Sequence, residues 1–141
     1  DFIDASGRVM GMDGFAIALS TSDIETVHGV STFATVAASS DREVELWLTM
    51  GGILPFLEDR VGDPAFADGP IGEAVLEAED APMYTEQLAW AKDNGDIRIT
   101  LCGMAMDLID TTIEDYVDVV DDVMGIGGFW RRGVDKRVIY V

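Results

Sequence analysis

Four short apolar segments, separated by stretches with helical periodicity, constrain the fold of this 141-residue chain more than any other feature. They are Phe15–Leu19, the alternating run from Val44 to Met50, Ile97–Leu101 and Val138–Val141. Segments of this length and composition predict β-strands, and the intervening stretches are long enough for crossover helices. The sequence therefore predicts an α/β fold with three layers, α/β/α, around a mainly parallel sheet of about five strands, of the flavodoxin-like kind.

The stretches between these predicted strands carry helix signals. Ser22 and Glu25 have the spacing of a capping box, which predicts a helix after the first strand. Pro82 marks the start of a second helix. Residues 59–81 are acidic and interrupted by Pro and Gly, so we expect an exposed insertion with one helical turn at Ala74–Glu77.

Composition limits the classes of function. We expect one domain, 1–141, in which residues 1–13 form an N-terminal extension. Asp and Glu total 27 against 9 Lys and Arg, a formal net charge of -18. Such a surface repels phosphate backbones and anionic lipid, so neither nucleic acid nor membrane is an expected partner. It is typical of a halophilic protein, because high ionic strength screens the repulsion between carboxylates.

Hydropathy predicts the compartment. No apolar run approaches the roughly 20 residues of a membrane span, and no basic segment precedes a hydrophobic signal sequence. We therefore expect a cytoplasmic protein.

Cys102 is the only cysteine, and it directly follows the predicted strand Ile97–Leu101. Where a strand leads into a helix, the first peptide N–H groups favour a thiolate. A single cysteine excludes an internal disulfide, and a single histidine leaves no cluster for a structural zinc site, so no metal is expected. Cys102 is then an inert core thiol, a reactive thiol or an intermolecular link, and position alone favours the first.

The carboxyl ends of parallel strands meet at one edge of a sheet, where ligands collect. Glycines at that edge let the backbone approach a substrate closely. The residues that we predict to surround Cys102 follow three different strands: Ser20, Thr21, Gly51, Gly52, Gly103 and Met104.

The segment Cys102–Leu108, with its two methionines, resembles the cysteine loop of DsrE/DsrF-like proteins. The order of the other elements is similar from Gly14 onward. It includes the Ser20–Thr21 turn, the strand that ends at Met50 before two glycines, and the glycine-bearing segment from Gly125. By this resemblance the chain is similar to the DsrEFH or Tus-type sulfur-relay family, as an acidic, haloarchaeal-type member.

This resemblance implies a sulfur carrier or sulfurtransferase subunit. Cys102 would accept a sulfane sulfur as a persulfide and pass it to a cysteine of another protein, without a cofactor. The resemblance also implies a homo-oligomer, a trimer or hexamer, with sulfur donor and acceptor proteins as partners. Two residues depart from the family pattern: Ala105 stands where Ser is frequent, and Asp110 where Gly is frequent.

Two other functions remain open. The first is a flavodoxin-like small-ligand binding module in which Ser20, Thr21 and Ser22 hold a flavin phosphate at a helix start. The second is a structural oligomer subunit with an inert thiol. Relay is favoured over internal redox cycling because a chain without a second thiol cannot resolve its own persulfide.

Overall fold

The computed structural model describes residues 2–3, 5, 9–10 and 14–141, so most of the predicted 1–13 extension lies outside the described residues. Two short strands, β1 (Phe2–Ile3) and β2 (Val9–Met10), pair antiparallel. From residue 14 the helices and strands are β3 (Phe15–Leu19), α1 (Ile24–Ser39), β4 (Glu43–Leu48), α2 (Pro70–Glu77), α3 (Tyr84–Asn94), β5 (Asp96–Cys102), α4 (Gly103–Leu108), β6 (Asp122–Met124), α5 (Ile126–Gly133) and β7 (Arg137–Tyr140). Four 3₁₀ segments lie between them: Met50–Phe56, Glu58–Arg60, Pro64–Phe66 and Ile113–Asp115.

Five strands form one sheet in the order β6-β5-β4-β3-β7, and every neighbouring pair is parallel. The chain steps outward from β3 to β6 and then returns to place β7 on the other side of β3. Right-handed crossovers therefore set α1, α2 and α3 on one face and α5 on the opposite face. The predicted α/β fold, with three layers and a parallel five-stranded sheet, is confirmed.

The face under α1 and α3 is a continuous apolar layer. Strand residues of this face stand in register, as Ile17 does with Leu46 and Leu46 with Ile99. All three are buried, and full burial of such side chains contributes roughly 1.5–3 kcal/mol each. On α1, small residues such as Ala34 and Ala38 let the helix approach this layer.

The opposite face is held by α5. The ring of Phe129 stacks on Trp47 with centroids 4.9 Å apart. A Cβ on Gly133 would lie 3.1 Å from the Cβ of Ala16, so the helix touches β3 there. Alternate residues of the same strands thus face two different environments.

Two local predictions differ from the structure. The N-cap of α1 is Asp23, one residue after the predicted Ser22, and its carboxylate accepts hydrogen bonds from Thr26 N at 3.3 Å and Thr26 Oγ1 at 3.0 Å. In the segment 59–81, which we expected to be exposed with one helical turn, α2 has eight residues and Phe66 is buried. Pro at the first helical position starts α2 earlier than the pattern indicated.

Among the residues that the structure describes, no helix is long and apolar enough to cross a membrane.

Candidate functional site

The three segments predicted to surround Cys102 follow β3, β4 and β5, which are adjacent in the sheet. Thr49 N donates to Leu19 O at 3.0 Å, which joins the ends of β4 and β3. A Cβ on Gly52 would lie 2.0 Å from the same carbonyl oxygen, so this position requires glycine. Helix α4, which starts after Cys102, packs against the segment that contains Gly51 and Gly52. The sequence prediction placed these three segments together, and the structure does so.

The thiol of Cys102 is buried. Only 4% of the residue is exposed in the isolated chain, whereas attack on a sulfur donor requires an accessible thiolate. Thr100 stands in register with Trp47, so its side chain lies on the α5 face, and Cys102, two residues later, has the same orientation. The closed single chain therefore does not present the accessible thiol that sulfur transfer requires.

The indole of Trp47 crosses the strand that carries Cys102, on the same face. Its indole Nε1 donates to Met124 O on β6 at 3.0 Å, and β5 lies between the two strands. The indole must therefore cross β5, at the level of Thr100 and Cys102. Phe129 of α5 stacks on the outer side of this indole. Sequence reasoning missed both aromatic residues, although a Trp on the polar side of an alternating strand is a signal of a second covered face.

Polar groups without partners lie beneath the same helix. Glu45 is buried, and one of its carboxylate oxygens accepts a hydrogen bond from Arg132 Nε at 2.5 Å. Its other oxygen, Oε2, and the hydroxyl of the fully buried Thr100 have no hydrogen-bond partner. Unpaired buried polar groups lower stability, so this face is less well optimised than the α1 face, where the described residues leave the buried Ser31 hydroxyl unpaired.

The loop after Cys102 presents one side chain to solvent and buries the next two. Met104 is exposed, whereas Ala105 and Met106 are buried. Because α4 has only six residues, it contributes little dipole to stabilise a thiolate. Asp110 has a φ of 55°, a conformation that glycine adopts at least cost, which explains why Gly suits this position in similar loops.

Tyr116 fastens the end of this loop to the core. Its hydroxyl lies 2.7 Å from Thr111 Oγ1, and Thr111 N donates to Met106 O at 3.1 Å. Burial raises the pKa of Tyr116 above its ordinary value. Tyr116 therefore stays protonated and hydrogen-bonded at neutral pH.

Met50 occupies a strained position at the same edge of the sheet. Its φ is 47°, in the left-handed region that costs a non-glycine residue roughly 1–2 kcal/mol. Strain of this kind is retained where the surrounding structure or a function requires it. The Met50 side chain is 38% exposed.

The loop after β3 is poorly suited to a phosphate. The hydroxyl of Ser20 donates to Val141 O at 2.7 Å, and Thr21 Oγ1 accepts from Asp23 N at 3.1 Å. The Asp23 carboxylate already occupies the N-terminus of α1, where a flavin phosphate would bind. Like charges would meet there, so the geometry disfavours the flavin-binding hypothesis.

The acidic residues of the described segments do not converge on a common point: none of their His, Cys, Asp and Glu side chains form a group of three that could hold a metal ion.

Comparisons with known proteins support the fold alone. No protein family model matches the chain, and no curated protein matches it. Among solved structures, it is similar to a protein of unknown function, MTH1491, from Methanobacterium thermoautotrophicum. The match has a TM-score of 0.64 and 14% identity, and covers 90% of this chain and 97% of that one.

Proposed function

We propose that this protein is a sulfur carrier that holds a sulfane sulfur as a persulfide on Cys102 and passes it to a protein acceptor. The observation that carries the proposal is the position of the single thiol. Cys102 ends β5 at the carboxyl edge of the sheet, beside the glycine-bearing loop after β4. The resemblance of its loop to DsrE/DsrF-like proteins supplies the chemistry.

The transfer consists of two displacements at sulfur. The Cys102 thiolate attacks the outer sulfur of a donor persulfide, a new S–S bond forms, and the donor thiolate leaves. An acceptor thiolate then attacks the outer sulfur of the Cys102 persulfide, and the Cys102 thiolate leaves. No oxidant or reductant is consumed, and no second cysteine of this chain is needed.

Burial of the thiol sets a condition on this proposal. Because 4% of Cys102 is exposed, both displacements require an opening of the surrounding cover. On the α5 face, that opening would have to move the Trp47 indole and the Phe129 ring stacked on it.

The experiment is a mass measurement on the native protein. We expect incubation with glutathione persulfide to add one sulfur, and Cys102→Ser to abolish the adduct. A thiol acceptor added afterwards should remove it. No adduct on the native chain, under conditions where the denatured chain gains sulfur, would contradict the proposal.

That contrary result would support a second function, a structural oligomer subunit with an inert thiol. The specific observation in its favour is the burial of Cys102 under Trp47 and Phe129. For both functions, the resemblance implies a homo-oligomer, a trimer or hexamer. For the sulfur carrier, it also implies sulfur donor and acceptor proteins as partners.

We also propose that the protein operates in a salt-rich cytoplasm. The formal charge of -18 on 141 residues creates self-repulsion that salt screens. The midpoint of thermal unfolding should therefore rise from dilute to concentrated KCl. A midpoint that is independent of salt would contradict a halophilic adaptation.

A further inference from the structure

An apolar surface is exposed at the β7 edge of the sheet, because helix α5 does not extend over it. Val138 and Tyr140 stand in register with Ala16 and Ala18 and therefore face the α5 side. Helix α5 lies over β3 and β4, so both β7 side chains are more than half exposed. Trp130 and Val134, on the outer side of α5, are 75% and 76% exposed. We call these four residues the β7-edge patch.

Within the described residues, no strand pairs with the outer edge of β7. Arg137 N donates to the carbonyl of Gly14, just before β3, at 2.9 Å, and Val141 N donates to Ala18 O of β3 at 2.8 Å. In a parallel strand the intervening Val138 and Tyr140 therefore point their N–H and C=O groups away from β3. Residues 138–141 contain no charge and no proline, the devices that usually protect a sheet edge.

A second apolar surface lies toward the β6 side of the molecule. Met104 and Leu108 are spaced one helical turn apart on α4, and both are mainly exposed, Leu108 to 73%. Ile109 follows them, and the exposed Val123 of β6 lies beside Gly103. We call these four residues, Met104, Leu108, Ile109 and Val123, the α4 patch.

The segments around the two patches differ in charge. Residues 126–141 hold four of the nine Lys and Arg side chains and one Asp, and two of the four, Arg132 and Lys136, pair with carboxylates of β4, which leaves Arg131 and Arg137. Residues 103–125 hold seven Asp and Glu and no Lys or Arg. Pairing two β7-edge patches would bring like charges together, while pairing a β7-edge patch with an α4 patch brings opposite charges together. Each copy of the chain carries both patches, at different edges of its sheet.

We propose that the β7-edge patch of one copy docks on the α4 patch of a second copy. Such a head-to-tail contact is heterologous, so it repeats from copy to copy until a ring closes. This inference specifies the surfaces of the proposed homo-oligomer and does not depend on the chemistry of Cys102. The occupant is this chain itself, because its own two surfaces supply both the apolar area and the complementary charge.

The test uses two surface variants and their mixture, all in a Cys102→Ser background so that thiol chemistry cannot affect the result. Trp130→Asp disrupts the β7-edge patch, and Leu108→Asp disrupts the α4 patch. The matched control is Trp90→Asp, at an exposed Trp of α3 on the other face. Molar mass is measured by light scattering and sedimentation in dilute and concentrated KCl, and folding by circular dichroism.

We expect the wild-type chain and Trp90→Asp to form the same finite oligomer, and both patch variants to be folded monomers. Mixed in equal amounts, the two variants should form a species with twice the 15.3 kDa chain mass, because one intact interface remains between them. Should Trp130→Asp fail to fold, Val134→Asp takes its place. A monomeric wild type at micromolar concentration, an unaffected Leu108→Asp oligomer, or a mixture that stays monomeric would overturn the proposal.

Discussion

The two faces of the sheet are built from alternate residues of the same strands, and they differ in what covers them. On the α1 face, Ile17, Leu46 and Ile99 are buried under helices that pack against one another. On the α5 face, Glu45, Trp47, Thr100 and Cys102 lie under a single eight-residue helix. The strand residues of the first face are apolar, and one unpaired hydroxyl lies over them, on the buried Ser31 of α1, whereas the second face contains an ion pair, unpaired polar atoms on its strands and the only thiol.

The two faces are therefore suited to different roles, one to holding the sheet together and the other to local opening. A closely packed apolar layer resists every change in volume, so the α1 face is suited to hold the strands in place. A thin cover attached by one aromatic stack and one ion pair can open locally without unfolding the sheet. Cys102 lies on the α5 face, so a local opening of this thinner cover would give a reagent access to its thiol.

The largest expected effect is on the α1 face. Leu46→Ala removes a fully buried side chain between neighbours that cannot collapse, and should lower the free energy of unfolding by about 4 kcal/mol. Urea denaturation measures the loss. The reactivity of Cys102 in the native state should change little, because the cover on the other face stays in place. A small loss of stability would contradict the assignment of the main core to this face.

The second largest expected loss of stability is on the α5 face. Phe129→Ala removes the ring that stacks on Trp47, and should lower the free energy of unfolding by about 3 kcal/mol. Most of this loss weakens the local cover, so labelling of native Cys102 by a thiol reagent should accelerate at least about tenfold, which needs only about 1.4 kcal/mol.

The matched control for this variant is Phe33→Ala on α1, since Phe33 is half-exposed and lies on the other face. Labelling should keep the wild-type rate in this control. If both variants label equally fast, Phe129 does not act as a cover for Cys102.

The sequence predicted the α1 face more completely than the α5 face, for a physical reason. Apolar residues at every second strand position, such as Val44, Leu46 and Leu48, indicate one buried face without knowledge of the partner helix. The burial of Glu45 and Trp47 depends instead on α5, which lies some eighty residues further along the chain and which no local pattern connects to β4.

The candidate site could likewise be predicted only in part from the sequence. The carboxyl ends of parallel strands always meet, so the grouping of the loops after β3, β4 and β5 followed from the strand assignments. Exposure of Cys102 did not follow, because it depends on where the indole of Trp47 points. That direction is set by a hydrogen bond to Met124, on the short strand β6, which is none of the four apolar segments of the sequence.

The smallest predicted change in the free energy of unfolding also distinguishes the two faces, and it is an increase. Thr100 is fully buried on the α5 face, and its hydroxyl has no partner. Thr100→Val keeps the shape and removes the unpaired hydroxyl, so it should raise the free energy of unfolding by about 1 kcal/mol. Thr100→Ser keeps the hydroxyl and removes a methyl group, so it should lower stability by a similar amount. If Thr100→Val is instead destabilising, a buried water or another group pairs with the hydroxyl, and the α5 face is as well satisfied as the α1 face.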